Sequence, residues 1–329
     1  MEGLQDRQRQ TTVIHMGVAS YRSLGVRLGV VIMLMAVTLG CADVKKPRYI
    51  PGDDTPRSGT IHVSADESFQ PVIDSQVKVF MNQHPDANII VHYKPEAECL
   101  KDLTDDSTRL VIVTRGLSDD EMLYYEDTLQ FRPSFGVVAH DAIAVIVNNA
   151  SKDSLFSVAD VRGMLSGRSG YRYQQVMDGT IATSTVRFML DSVLRGFPFS
   201  SAVVAARSSE GVIDYVSRHP DAVGYIGVNW IGDRKDPQQL SFQRKVRIAA
   251  LQCANCEEEV YVKPYQANIA LKRYPLRRDL YYILKENYSG LGRGFVNFMS
   301  GEKGQLIFKQ AYLVPGRLAL QVRRANISE

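Results

Sequence analysis

The chain has 329 residues, 45% hydrophobic and 23% charged, with 13 prolines. That is the balance of an ordinary packed protein and excludes whole-chain disorder and a coiled coil. Lys plus Arg number 39 against 36 for Asp plus Glu, and the formal charge of +3 is too small to hold a polyanion by counterion release, so no nucleic-acid partner is expected. The length exceeds what one core usually serves, and two domains of about 100 to 150 residues are expected. The six histidines are scattered and suggest no metal site.

Residues 28–39 read LGVVIMLMAVTL, an uncharged apolar run preceded by Arg22 and Arg27 and followed by Gly40 and Cys41. The run is too short to span a bilayer, which takes about 20 residues, but it fits a secretory h-region. Leu39-Gly40-Cys41 resembles a bacterial lipoprotein signal, in which the cysteine becomes the lipidated first residue of the mature chain. Thr38 departs from the usual leucine, and a plain signal peptide with an incidental cysteine is the alternative. The expected organisation is a signal peptide over residues 1–40, with Met16 as a candidate true start, and then lipidated Cys41 and a proline-bearing tether to Ser58. The exported part would be nearly neutral and lipid-anchored to the cell envelope, on its periplasmic side or at the cell surface.

Beyond the tether, strand and helix alternate. Residues 59–63 (GTIHV) predict a strand, and Phe69, Val72, Ile73, Val77 and Phe80 fall on one helical face. Residues 87–92 predict a second strand, 97–103 a short helix, and 109–114 (RLVIVT) a third strand. Later strands are expected at 142–147, 223–228, 246–251 and 280–284, with helices near 158–165, 186–194 and 211–216. Continuous apolar strands joined by helices imply a parallel sheet covered on both faces. Cys253 and Cys256 are spaced to form a loop-closing disulfide or to remain inert thiols; the following Glu257-Glu258-Glu259 argues against redox chemistry, because nearby carboxylates raise a thiol pKa. Gly290 to Gly294 reads as a tight helix entry rather than a dinucleotide loop. His140-Asp141 reads as a surface turn, and Arg277 and Arg278 as solvated.

Two turns stand where strands enter helices, and open α/β sheets bind ligands at such places. Residues 64–68 (SADES) lead into the helix expected from Phe69, and Thr183-Ser184-Thr185 opens the next candidate. Their hydroxyls can cap a helix or hold an anion, and capping alone is the simpler reading for either turn.

Several blocks, in order, resemble one family: GTIHVSADESFQP (59–71), DAIAVIVN (141–148), SVADVRGMLSG (157–167), the Thr183 to Thr185 turn, AVGYIGVNWI (222–231), YPLRRDLYYIL (274–284) and GLGRGFVNFMSGEKGQLIFKQAYLVP (290–315). They resemble the phosphate-binding proteins of bacterial ABC importers, within the type II periplasmic solute-binding superfamily. Thr183 to Arg187 and Pro264 to Ala267 are similar to segments of a lipoprotein branch found in Bacteroidetes-type bacteria. The resemblance implies a two-lobed α/β fold, each lobe a mainly parallel sheet flanked by helices, with the ligand cleft between them. Lobe one would take residues 59–140 plus 263–329, and lobe two 141–262. It further implies ligand contacts at Ser68, Phe69, Thr183, Ser184 and Thr185. Ala97 lies in Glu96-Ala97-Glu98, where the family has Gly-Ser-Gly, and carboxylates there would repel an oxyanion. The aspartate that commonly follows the next helix in the family is absent from RLVIVTR; Arg115 stands at a position resembling the arginine of many relatives, and Arg187 is a second candidate cation.

The expected function is a substrate-binding lipoprotein of an ABC importer that takes phosphate or a similar oxyanion. A surface or sensory lipoprotein with altered or lost phosphate binding is the alternative. Catalysis, a cofactor and a metal are not expected; the expected partners are the oxyanion, an ABC permease and the membrane through the lipid, with the protein itself a monomer.

Overall fold

A computed structural model describes residues 54–317 except 106, 180–182 and 234. The signal peptide, Met16 and Cys41 lie outside the described residues. The chain is already fastened at Asp54, five residues ahead of the first expected strand. One oxygen of Asp54 contacts Arg109 at 2.8 Å, and the other accepts the Leu291 N–H at 2.7 Å.

Strand β1 (Gly59–Asp66) passes through a short turn into helix α1 (Gln70–Gln83). Then come β2 (Ala87–Lys94), α2 (Glu96–Lys101), β3 (Thr108–Val113), α3 (Asp119–Leu129) and the long β4 (Ser134–Asn148). The middle of the chain gives β5 (Leu155–Phe156), α4 (Val158–Ser166), β6 (Gln174–Met177), α5 (Ser184–Phe188, extended by a wider turn over Met189–Val193), β7 (Val204–Ala205), α6 (Ser209–Arg218) and β8 (Ala222–Gly227). The rest comprises α7 (Pro237–Lys245), β9 (Val246–Ile248), β10 (Ala250–Gln252), β11 (Tyr261–Val262), α8 (Gln266–Ala270), β12 (Arg277–Leu284), α9 (Leu291–Ser300), α10 (Glu302–Gln310) and β13 (Val314–Pro315).

Among the described residues the main sheet runs β2-β1-β3-β12-β4-β8-β6-β7, with β9 and β13 also on β4. The β1, β2 and β3 pairings are parallel, as are β6 with β7 and β8. The centre departs from the expected parallel sheet. Both β12 and β4 run antiparallel to their neighbours, and β4 pairs with β12 over its first half and with β8 over its second. The strand expected at 246–251 divides at Ala249: β9 joins β4, while β10 pairs with β5 and β11 in a separate small sheet.

Both faces are covered, which is why residues 110–113 of β3 and 142–147 of β4 are apolar without interruption. Leu110 and Ile112 of β3 face α1, α9 and α10, whereas Val111 and Val113 face α2 and α3. On β4, Ile143, Val145 and Val147 pack with Val186, Met189 and Tyr225, and Ala144 and Ile146 pack with Val212, Ile213 and Phe242. Helix α3 carries a capping box between Ser118 and Glu121, and α4 one between Ser157 and Asp160, so both starts are fixed by their own sequence. Cys253 and Cys256 are joined by a disulfide, and Cys253 N–H donates to Val260 O at 2.7 Å across the same loop.

Candidate functional site

At the end of β1 the chain turns into α1, and Asp66 caps the turn: its Oδ1 accepts the Ser68 N–H at 2.8 Å. The carbonyl of Ser68 accepts from Asn229 Nδ2 and Trp230 Nε1, both at 2.9 Å, from the turn after β8. Gly227, just before that turn, is needed for the close approach. A β-carbon there would lie 2.8 Å from Asn229 Nδ2, 3.2 Å from Arg278 Nη2 and 3.3 Å from Ser68 O.

The second turn meets the first. Thr183 caps α5 by accepting the Val186 N–H at 3.2 Å, and its hydroxyl donates to Asp178 Oδ1 at 3.0 Å. Ser68 Oγ lies 3.4 Å from both Ser184 Oγ and Asp178 Oδ2, and Thr185 Oγ1 donates to Asp178 Oδ2 at 3.3 Å. The Ser184 N–H reaches across to Asp66 Oδ2 at 3.3 Å. Four hydroxyls from two helix starts therefore surround two carboxylates, and all six side chains are buried.

Arg278 is the cation of this cluster, which corrects the expectation that it is solvated: its side chain is 2% exposed. Nε donates to Asp141 Oδ2 at 2.8 Å, and Nη1 donates to Ser184 Oγ at 2.9 Å and Thr185 Oγ1 at 3.4 Å. The guanidinium carbon sits 5.0 Å from the centre of the buried Phe69 ring. Asp141 is likewise buried and not in a surface turn. It lies directly opposite Arg278 where β4 pairs with β12, inside the covered sheet. His140, its neighbour in sequence, points the other way and bonds Asp279 at 2.6 Å. Arg278 Nη2 has no hydrogen-bond partner among the described residues.

Burial dominates the electrostatics. It pushes the Asp66 carboxyl up to about 6, with the Glu96 charge adding to the rise and Arg278 and the Ser68 side chain opposing it. Burial also raises Asp178 and Asp141, and it takes Glu67 to about 7 with help from Asp178 and Asp66.

Ala97, Arg115 and Arg187 are not brought into this cluster. They line a neighbouring cavity of about 540 Å³ between α2, α3 and α5, with Leu100, Tyr125 and Leu190 among its walls. Arg115 is held by Glu121 through two contacts of 2.6 and 2.7 Å. Arg187 Nε bonds Glu96 Oε2 at 2.5 Å, and Glu96 Oε1 accepts the Thr114 N–H and hydroxyl, each at 2.7 Å. Burial alone would raise Glu96, but the Arg187 and Thr114 bonds outweigh it and hold the carboxyl below its ordinary range. Of the two carboxylates expected to repel an anion, Glu96 is thus turned inward and neutralised, while Glu98 is exposed.

Residues 53–303 match the PBP superfamily domain. The chain belongs to this superfamily. It is similar to the phosphate-binding protein PstS of Pseudomonas aeruginosa, 20% identical over 288 residues that cover 80% of this chain and 85% of that protein. Among solved structures it resembles a Clostridium perfringens substrate-binding protein assigned to a phosphate ABC transporter and holding phosphate, at TM-score 0.64 and 17% identity, over 78% of this chain and 99% of that one. It also resembles an ABC-type phosphate transport receptor from Vibrio cholerae, at TM-score 0.59 and 16% identity, over 77% and 99%. The architecture is the α/β periplasmic binding protein fold.

Proposed function

We propose that the chain is the substrate-binding component of an ABC importer and that its substrate is an oxyanion, phosphate first. One observation carries the reading. The Ser68 turn and the Thr183 to Thr185 turn, from separate parts of the chain, converge on one buried guanidinium and one buried carboxylate. Hydroxyls and Arg278 supply donors, and two helix starts add partial positive charge. Asp178 supplies an acceptor, which a hydrogen phosphate can satisfy with its own proton and sulfate at neutral pH cannot. The names of the similar proteins support the same solute and a binding role rather than an enzymatic one.

In this reading residues 59–140 with 263–329 and residues 141–262 form two lobes that part to admit the anion, so that the hydroxyls now turned to Asp178 turn to the ligand instead. Lipid on Cys41 holds the protein beside its permease. Calorimetric titration with phosphate and sulfate tests the solute. Thr185→Ala should weaken phosphate binding about ten- to hundredfold, the worth of one charge-assisted bond. Equal binding by wild type and a Ser68→Ala, Thr185→Ala double variant would exclude this site. Membrane association that survives Cys41→Ser would exclude the anchor.

One observation favours the second reading, a surface or sensory lipoprotein that has lost phosphate. Two amides of the cluster, at Ser68 and Ser184, already serve the carboxylate of Asp66.

A further inference from the structure

A helix cap needs one acceptor for one N–H, and Asp66 does more than that. One oxygen takes the Ser68 amide of its own turn, and the other takes the Ser184 amide, 118 residues away and at the start of a different helix. The carboxylate is completely buried and so cannot exchange these donors for water. It lies between two helix starts and beside the hydroxyls of Ser68 and Ser184. Close by, the Arg278 guanidinium bonds Ser184 while its Nη2 has no hydrogen-bond partner among the described residues. These are the donors an oxyanion needs, and the chain satisfies two of them with an anion of its own.

We infer that Asp66 is a built-in competitor for the anion, and that its carboxylate must swing away or lose its charge before an oxyanion can take the Ser68 and Ser184 amides. The inference rests on the reading of this cluster as an oxyanion site. It makes Asp66 a residue that sets affinity by opposing the ligand, a role that a plain cap does not have. Among the described residues the charged groups facing Asp66 are Glu96 on α2, Arg278 on β12, Asp178 after β6 and Glu67 in its own turn, and the buried thiol of Cys99 on α2 faces it as well. Three of these four are acidic, so they favour the protonated carboxyl, and acidification should weaken the competitor. Burial acts in the same direction, taking the group to about 6.

The test is calorimetric titration of inorganic phosphate into protein made from the full chain, as wild type, Asp66→Asn and Asp66→Ser. Serine keeps a cap acceptor, so it covers the case in which asparagine fails to fold. At about pH 8 both variants should bind roughly tenfold tighter than wild type or better, the effect of one removed like charge. At about pH 5 the ratio should shrink towards one, because wild type is then protonated too; the titration of phosphate itself is common to all three proteins and cancels. Tighter binding by the variants upholds the inference, and if wild type binds nothing, the lost-phosphate reading gains with it. Equal or weaker binding by the variants at about pH 8, with wild type binding, overturns the inference and leaves the oxyanion site standing. If none of the three proteins binds phosphate, both fall.

Discussion

Replacing Arg278 with methionine should be among the costliest changes in this protein, and the cost should depend on pH in a direction the structure fixes. Arg278 and Asp141 form an ion pair at 2.8 Å with side chains 2% and 0% exposed. Such a pair gives little net stability against a well-packed apolar substitute, but removing one partner strands the other charge, at about 3 to 5 kcal/mol. For a domain of this size that is a fall of roughly 6 to 20 °C in Tm. The stranded carboxyl can escape by taking a proton. Its folded pKa is already raised by burial against the pull of Arg278, and it rises further once that pull is gone. A carboxyl with a folded pKa above its unfolded value near 4 binds more protons folded than unfolded, so stability falls as pH rises through that window. The penalty of Arg278→Met should therefore be smallest near pH 4 and largest near pH 7. Adding Asp141→Asn should recover much of it, giving a double-mutant coupling of about 2 kcal/mol or more. Denaturant unfolding of the four proteins at both pH values is the assay. If Arg278→Met is as stable as wild type at pH 7, or Asp141→Asn adds to its cost instead of relieving it, the pair is not the buried couple described here.

Arg187→Ala leaves the buried Glu96 with Thr114 alone and should cost roughly 1 to 2 kcal/mol, since the arginine is partly exposed and its share is screened. Glu96→Gln with Arg187→Ala should cost less than the sum of the two, and strict additivity in thermal unfolding would argue against the pair. Asp66, raised to about 6 against an unfolded value near 4, should make wild type less stable as pH rises across that interval, by up to about 3 kcal/mol. Asp66→Asn should remove that slope, and a pH profile unchanged by the substitution would refute the assignment. The Cys253 to Cys256 bridge closes a loop of minimal length. Cys253→Ser should therefore cost about 2 kcal/mol or less, and a loss of folding would show that the loop does more than turn the chain.

The elements nearest the amino end were legible because their apolar runs have the right lengths and periods. RLVIVT is six residues with both faces apolar, and it became β3, covered on both faces. The place of β12 was not legible. It comes late in the chain yet lies at the centre of the sheet between β3 and β4, and periodicity says nothing about which neighbour a strand chooses. Ser68 and Thr183 to Thr185 could be found because a hydroxyl at a helix start is a local pattern. Arg278 and Asp141 were misread, although a signal was present. Side chains two apart in a strand share a face, and Arg278 alternates in step with Leu276, Leu280 and Leu284, as Asp141 does with Ala139, Ile143 and Val145. A charge in step with buried residues on one strand, and its opposite on another, is the mark of a cross-strand pair. Asp178 carried no such mark, because its role depends on three hydroxyls that fold up to it.

Charge near the site cannot be read from composition, where 39 basic residues nearly cancel 36 acidic ones. What counts is which few are buried together. Asp66, Asp141 and Asp178 share one enclosed cluster with Arg278, which contacts Asp141 and acts on the other two from farther off. If all ionised, the four would hold a buried excess of negative charge, which burial opposes by raising all three carboxyls. An anion entering such a place must bring protons or find them there. In the proposed reading a hydrogen phosphate would meet that condition by donating to Asp178 while it accepted from the hydroxyls and the guanidinium. A fully deprotonated sulfate leaves the carboxylate facing it without a shared proton. The selectivity proposed for this chain would therefore come from acceptors as much as donors, with the carboxylates keeping a positive helix start from drawing in every anion.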